Sequence, residues 1–243
     1  MMKKWNLIVL TITALMGCSG KNMDDVIITT PVTPIVAPPA GNGTALTYLA
    51  LGDSYTIGES VPADQSFPYQ LASALNKQEY SIGKRTIIAR TGWTTDELIR
   101  EINNQNLKSK FDIVTLLIGV NNQYRHYNID TYRTEFVQLL NTALNYANGN
   151  KKRVFVLSIP NWGVTPFAKG QDVMQITKEI AQYNAINKEE SDKAGVSYTD
   201  ITPISQQAIA DPSLVAADGL HPSGKMYMLW TGLLSAEVLK NLK

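Results

Sequence analysis

Five short runs that are mostly apolar on both faces, each followed by a segment with helical spacing, constrain this chain more than any other feature. The runs cover residues 48–51, 86–89, 113–118, 154–159 and 196–201. A strand that is apolar at consecutive positions, not at every second one, belongs in a sheet covered on both sides. Residues 67–78, 94–104, 130–147 and 173–194 carry 3.6-type spacing between them, and Thr94 with Glu97 forms a capping-box pattern at the head of the second. A last amphipathic segment, 222–242, begins with Pro222, a residue suited to a helix's first turn. Strands separated by helices are joined by crossovers, which are right-handed. The pattern therefore predicts an α/β fold, a three-layer doubly wound sandwich around a five-stranded parallel sheet.

The predicted domain spans 46–243; what precedes it has a different character. Met1-Met2-Lys3-Lys4 is a positive start, and Leu7 to Met16 is an apolar run of ten residues, too short for a membrane span and suited to an export signal over 1–17. Leu15-Met16-Gly17-Cys18 is similar to the lipobox of bacterial lipoproteins, which implies cleavage before Cys18, lipidation of its thiol and anchoring to a membrane of the bacterial cell envelope. Cys18 is the chain's one cysteine, so an exported domain without disulfides must rest on its hydrophobic core. Residues 18–45 include Pro31, Pro34, Pro38 and Pro39 followed by Gly41-Asn42-Gly43, and read as an extended tether. Without Lys3 and Lys4 the mature chain has 20 basic and 21 acidic residues. That balance gives no electrostatic reason to bind nucleic acid.

Ligands of a doubly wound sheet bind beyond the carboxyl ends of its strands. Ser54 follows the first apolar run, Gly92 the second, Asn121 the third, Asn161-Trp162 the fourth, and Asp218-Gly219-Leu220-His221 the fifth. A serine hydroxyl becomes a useful nucleophile when an imidazole accepts its proton and an acid orients that imidazole. The chain has only two histidines. His221 lies three residues from Asp218, whereas His126 sits in a polar stretch outside any such Asp-x-x-His pattern. Thr56, two residues beyond Ser54, rules out the Gly-x-Ser-x-Gly elbow.

Over residues 46–243 the chain resembles the SGNH subset of the GDSL esterase/lipase family. Gly52-Asp53-Ser54, Gly92, Gly119-Val120-Asn121 and Asp218-Gly219-Leu220-His221 match its four blocks in order. The resemblance implies a flavodoxin-like hydrolase fold, Ser54 as nucleophile, His221 as base and Asp218 as its orienter. It also implies an oxyanion hole from the backbone N–H groups of Ser54 and Gly92 and the Asn121 amide. One departure stands out: the third block usually reads Gly-x-Asn-Asp, and Asn122 replaces the Asp. Support for Asn121 is what this puts in question.

Tyr124, Arg125 and Trp162 are candidate substrate contacts, with Phe167 an aromatic neighbour in the loop after the fourth strand. Asp53 reads as a structural hydrogen bonder. No His, Cys or carboxylate cluster has metal-ligand spacing, and no cofactor is expected. The expectation is a monomeric, lipid-anchored esterase acting on a small-molecule, lipid or acetylated-carbohydrate ester. A thioesterase, lysophospholipase or acyltransferase with the same triad, and a non-catalytic surface lipoprotein, are the alternatives.

Overall fold

The computed structural model describes residues 43–243. The expected signal peptide, Cys18 and the tether up to residue 42 lie outside the described residues. Strand β1 (Thr44–Ala45) pairs in parallel with β3 (Tyr80–Ser81) in a two-stranded sheet. Residues 44 and 45, the last of the expected tether, thus already pair with the domain. The main sheet has the order β4 (Arg85–Ala89), β2 (Tyr48–Gly52), β5 (Ile113–Leu117), β6 (Val154–Leu157), β7 (Ser197–Thr199), and every pairing is parallel. Taken along the chain, these five strands have the flavodoxin-like order 2-1-3-4-5, with the order reversing at β2 and β5.

Helix α2 (Phe67–Asn76) packs against α8 (Gly224–Leu242), whereas α5 (Ile129–Tyr146) packs against α3 (Thr95–Gln105) and α6 (Val173–Ala194). The two helix layers leave every residue of β2, β5 and β6 buried, as the continuous apolar runs require. Each fully buried Leu or Ile there contributes about 1.5–3 kcal/mol relative to exposure. The polar exception in the sheet centre is satisfied, because Tyr48 Oη and Thr115 Oγ1 are hydrogen-bonded at 2.9 Å.

Register brings the strand ends level. Gly52 lies beside Ala89 on one side and Leu117 on the other. A Cβ at position 52 would lie 2.1 Å from Thr56 Oγ1 and 2.4 Å from the Leu117 carbonyl oxygen, so only glycine lets β2 end against both neighbours. Two short helices start at this rim: α1 (Ser54–Ile57) after β2 and α4 (Val120–Tyr124) after β5. A further short helix, α7 (Thr202–Gln206), follows β7.

The long elements lie close to their expected bounds, and α6 occupies residues 173–194 as anticipated. The start of α8 differs. Ser223 caps it, its Oγ accepting from the Met226 N–H at 3.3 Å, while Pro222 forms an antiparallel bridge with Val215 and lies outside the helix. Among the described residues, no helix is long and apolar enough to cross a membrane.

Candidate active site

The rim over β2 and β5 carries the site. Asp53 caps α1 through Oδ1, which accepts from the Tyr55 N–H at 3.0 Å, and Ser54 becomes the helix's first residue. Asp53 is fully buried. Burial pushes its carboxyl up to about 8 against the lowering effect of the Tyr55 hydrogen bond, so the group is predominantly uncharged at neutral pH. Its expected structural role agrees with this geometry.

The Asp218–His221 turn is organised by the Asp218 carboxylate. Oδ1 accepts from the backbone N–H groups of Leu220 and His221, each at 3.0 Å; Oδ2 meets His221 Nδ1 at 2.5 Å and accepts from Ser60 Oγ at 2.7 Å. Partial burial pushes this carboxyl up, but the four hydrogen bonds outweigh it and hold its pKa well below the usual carboxylate range. The Ala216 N–H donates to the His221 carbonyl at 2.7 Å, and the Ser223 N–H to the Leu214 carbonyl at 2.8 Å, closing the turn. Tyr55 packs edge-on against the imidazole, ring centroids 5.5 Å apart.

Gly92, in the loop after β4, has φ +83°, a left-handed conformation that glycine adopts without steric penalty. Its carbonyl accepts from an Arg125 guanidinium nitrogen at 2.6 Å, and the same guanidinium approaches Glu97 at 3.4 Å. Arg125, expected to touch substrate, is therefore bonded to the Gly92 loop and the head of α3. Asn121 donates from Nδ2 to the Trp93 carbonyl at 3.0 Å. The Thr94–Glu97 pair forms as expected, with the Thr94 N–H donating to Glu97 Oε2 at 3.0 Å.

The departure at Asn122 has a local reason. Its side chain is completely buried. Oδ1 accepts from the Thr95 N–H at 3.0 Å, and Nδ2 donates to Thr95 Oγ1 at 2.7 Å. The Thr95 hydroxyl proton goes to Glu135. An amide donor at position 122 completes this network, whereas a carboxylate there would face a hydroxyl whose proton already serves another carboxylate.

Ser54, Gly92, Asn121, Tyr124, Trp162 and His221 all line one cavity of about 150 Å³. Arg125 is outside that lining, and so is His126, which borders a neighbouring pocket. Val120, Leu220 and Phe167 supply apolar wall. The Phe167 N–H donates to the Gly219 carbonyl at 2.9 Å, tying the aromatic loop to the Asp218–His221 turn. Ser60 and Glu135 escape a sequence reading, since each meets its partner through the fold, Ser60 across 158 positions. Among the described residues, no group of three His, Cys, Asp or Glu side chains could hold a metal ion.

The five-stranded parallel sheet, with its order reversing at β2 and β5, defines an α/β fold of the flavodoxin-like kind. Residues 50–229 match the model of the GDSL-like lipase/acylhydrolase family, and the chain belongs to that family. It is accordingly an enzyme acting on esters. A lipase from a goat rumen metagenome is similar in structure, with TM-score 0.63 and 19% identity over 79% of this chain and 97% of its own. An acetylxylan esterase from Geobacillus stearothermophilus gives 0.61 and 17%, over 81% and 95%. A lipolytic G-D-S-L family protein from Veillonella parvula gives 0.59 and 16%, over 80% and 96%. No curated protein matches the chain.

Two substitutions test the supports. Asn122→Asp should lower unfolding stability at neutral pH by about 1–3 kcal/mol, the cost of an unsatisfied buried polar contact, and adding Glu135→Gln should recover part of the loss. Failure of the second change to rescue in urea denaturation would refute the shared-hydroxyl account.

Asp53 makes stability depend on pH in a defined window. The unfolded chain ionises this group near 4, the folded chain only near 8, so its contribution is complete below about 4 and is lost as pH rises to about 8. Asp53→Asn removes that titration. Relative to wild type, the variant should therefore gain stability steadily from pH 4 to 8 and no further above it; a constant difference across that range would show that Asp53 ionises normally.

Proposed function

We propose that this protein is a serine esterase that hydrolyses carboxylic esters through an acyl-enzyme on Ser54. The observation that carries the reading is the 2.5 Å contact of His221 Nδ1 with Asp218 Oδ2 on the wall of the cavity that Ser54 lines. With Nδ1 engaged, Nε2 is left to accept the Ser54 hydroxyl proton as Oγ adds to the ester carbonyl. Asp218, ionised throughout the neutral range, stabilises the imidazolium. The tetrahedral oxyanion is received by the backbone N–H groups of Ser54 and Gly92 and by the second Nδ2 hydrogen of Asn121, the first being held by Trp93. His221 then gives its proton to the departing alkoxide, and the alcohol leaves. In the second half, water loses a proton to His221 and attacks the acyl carbonyl; the carboxylic acid departs and Ser54 regains its proton.

The apolar walls and modest volume of the cavity favour a short acyl group over a long one. Likeness of fold to both a lipase and an acetylxylan esterase is compatible with either, so the cavity supports the choice. Tyr124 and Trp162 would bound the bound acyl group, and Arg125 would act by holding Gly92.

A fluorophosphonate probe should add to Ser54 of the full chain, as read by peptide mass spectrometry. His221→Ala should abolish most of both labelling and p-nitrophenyl acetate hydrolysis, while His126→Ala should not. Labelling at a different serine in folded protein would overturn the assignment.

We also propose export and lipid anchoring at Cys18 in a bacterial envelope. The support is the short apolar run after Lys3-Lys4 and the Leu15-Met16-Gly17-Cys18 sequence. Protein made in a bacterial host should sediment with membranes and begin at a lipid-bearing Cys18, since several acyl chains hold far better than one. An intact mass without lipid would make the protein an unanchored esterase.

A further inference from the structure

A second pocket, of about 130 Å³, adjoins the Ser54 cavity and shares Tyr124 and Trp162 with it. Its walls carry more polar side chains, set beside Ile176 and the two shared aromatic rings. Gln171, Asp172, Gln175 and Glu179, from α6 and the turn before it, project into it. Gln123 fixes its floor, accepting from Trp162 Nε1 and donating to Glu179 Oε2, each at 2.7 Å. Gln175 donates to the other Glu179 oxygen at 2.6 Å. Burial pushes the Glu179 carboxyl up, but these hydrogen bonds, helped by His126, outweigh it and keep it ionised.

Tyr124 forms the shared edge. It is 49% exposed and packs edge-on against Trp162 at 5.5 Å, so one ring borders both spaces. Tyr124 and Trp162 are thus common to the cavity that Ser54 lines and to the pocket beside it. Amides offer donors and acceptors together, which suits hydroxyl groups, and an aromatic face suits the carbon side of a ring. No Lys or Arg lines the pocket, and the carboxylates of Asp172 and Glu179 outnumber its one imidazole, His126. An anionic group would meet like charge there.

We propose that this pocket receives the alcohol side of the ester, and that the alcohol is a neutral, hydroxyl-rich unit such as a sugar ring, held by Gln171 and Gln175 and resting on Tyr124. The proposal rests on the esterase reading of Ser54. It assigns the short acyl group to the apolar cavity and sets phosphorylated alcohols aside.

Acetate release from methyl 6-O-acetylglucoside, butyl acetate and 1-acetylglycerol 3-phosphate tests it with the full-length enzyme. Wild type should show the highest kcat/KM on the glucoside and the lowest on the phosphate ester. Gln175→Leu should lower the glucoside-to-butyl ratio of kcat/KM about five- to tenfold, the scale of one or two lost hydrogen bonds, with the loss in KM; Gln171→Ala should move it the same way. Asp172→Asn, whose amide oxygen can still cap α6, should raise the relative rate on the phosphate ester about threefold as one carboxylate is removed. Equal kcat/KM on all three esters, or ratios that ignore both glutamine changes, would overturn the subsite and leave the esterase standing. Absence of hydrolysis of any ester, together with no adduct on Ser54, would overturn both.

Discussion

A parallel sheet has its strand ends in register on one side, and the rest of this molecule follows from that geometry. Parallel neighbours must be joined by crossovers, so each strand delivers its following loop to the same rim. Gly52, Ala89 and Leu117 lie side by side where β2, β4 and β5 end. Beyond them come Ser54, Gly92 and Asn121, separated widely in sequence and gathered within one cavity. The strand order reverses at β2 and β5, so the crossovers leave in opposite directions there and open the cleft.

Sheet geometry brings the residues near one another; hydrogen bonds hold them still. Asp218 accepts four, two from its own turn, one from His221 Nδ1 and one from Ser60. A carboxylate so occupied is ionised and immobile, and the imidazole it touches has one orientation. On the other wall, Arg125 ties down the Gly92 carbonyl and Trp93 takes one proton of Asn121. Behind them the Thr95 hydroxyl joins Asn122 to Glu135. In the proposed mechanism, donors fixed before the reaction begins need no reorganisation when charge appears, which is the condition for strong oxyanion stabilisation.

Much of this was legible in the sequence because the relevant signals are local. Strand runs such as 113–118 owe their composition to burial on both faces, and α6 is long enough for its periodicity to define both ends. The Asp218–His221 pair could be read for the same reason, since a three-residue turn nearly suffices to bring carboxylate and ring together. Helices α1 and α4 left no such trace. Four or five residues span little more than one turn, too few for a 3.6-residue period to show, and the two-residue strands β1 and β3 are shorter still. Pro222 misled for a related reason: it is compatible with a first helical turn, but its bridge to Val215 holds it outside and gives the cap to Ser223.

The order of elements, the parallel sheet and the residue types at its rim were determined by the sequence itself, because burial and turn chemistry act over a few neighbouring residues. Tertiary structure decided what each rim residue is bonded to. Ser60 reaches Asp218 across 158 positions, Gln123 reaches Glu179 across 56, and Arg125 turns to Gly92 across 33. Nothing local distinguishes an arginine that faces substrate from one that holds a loop. That difference depends on which backbone carbonyl the fold brings within hydrogen-bonding distance, and the fold sets it only once distant segments have packed.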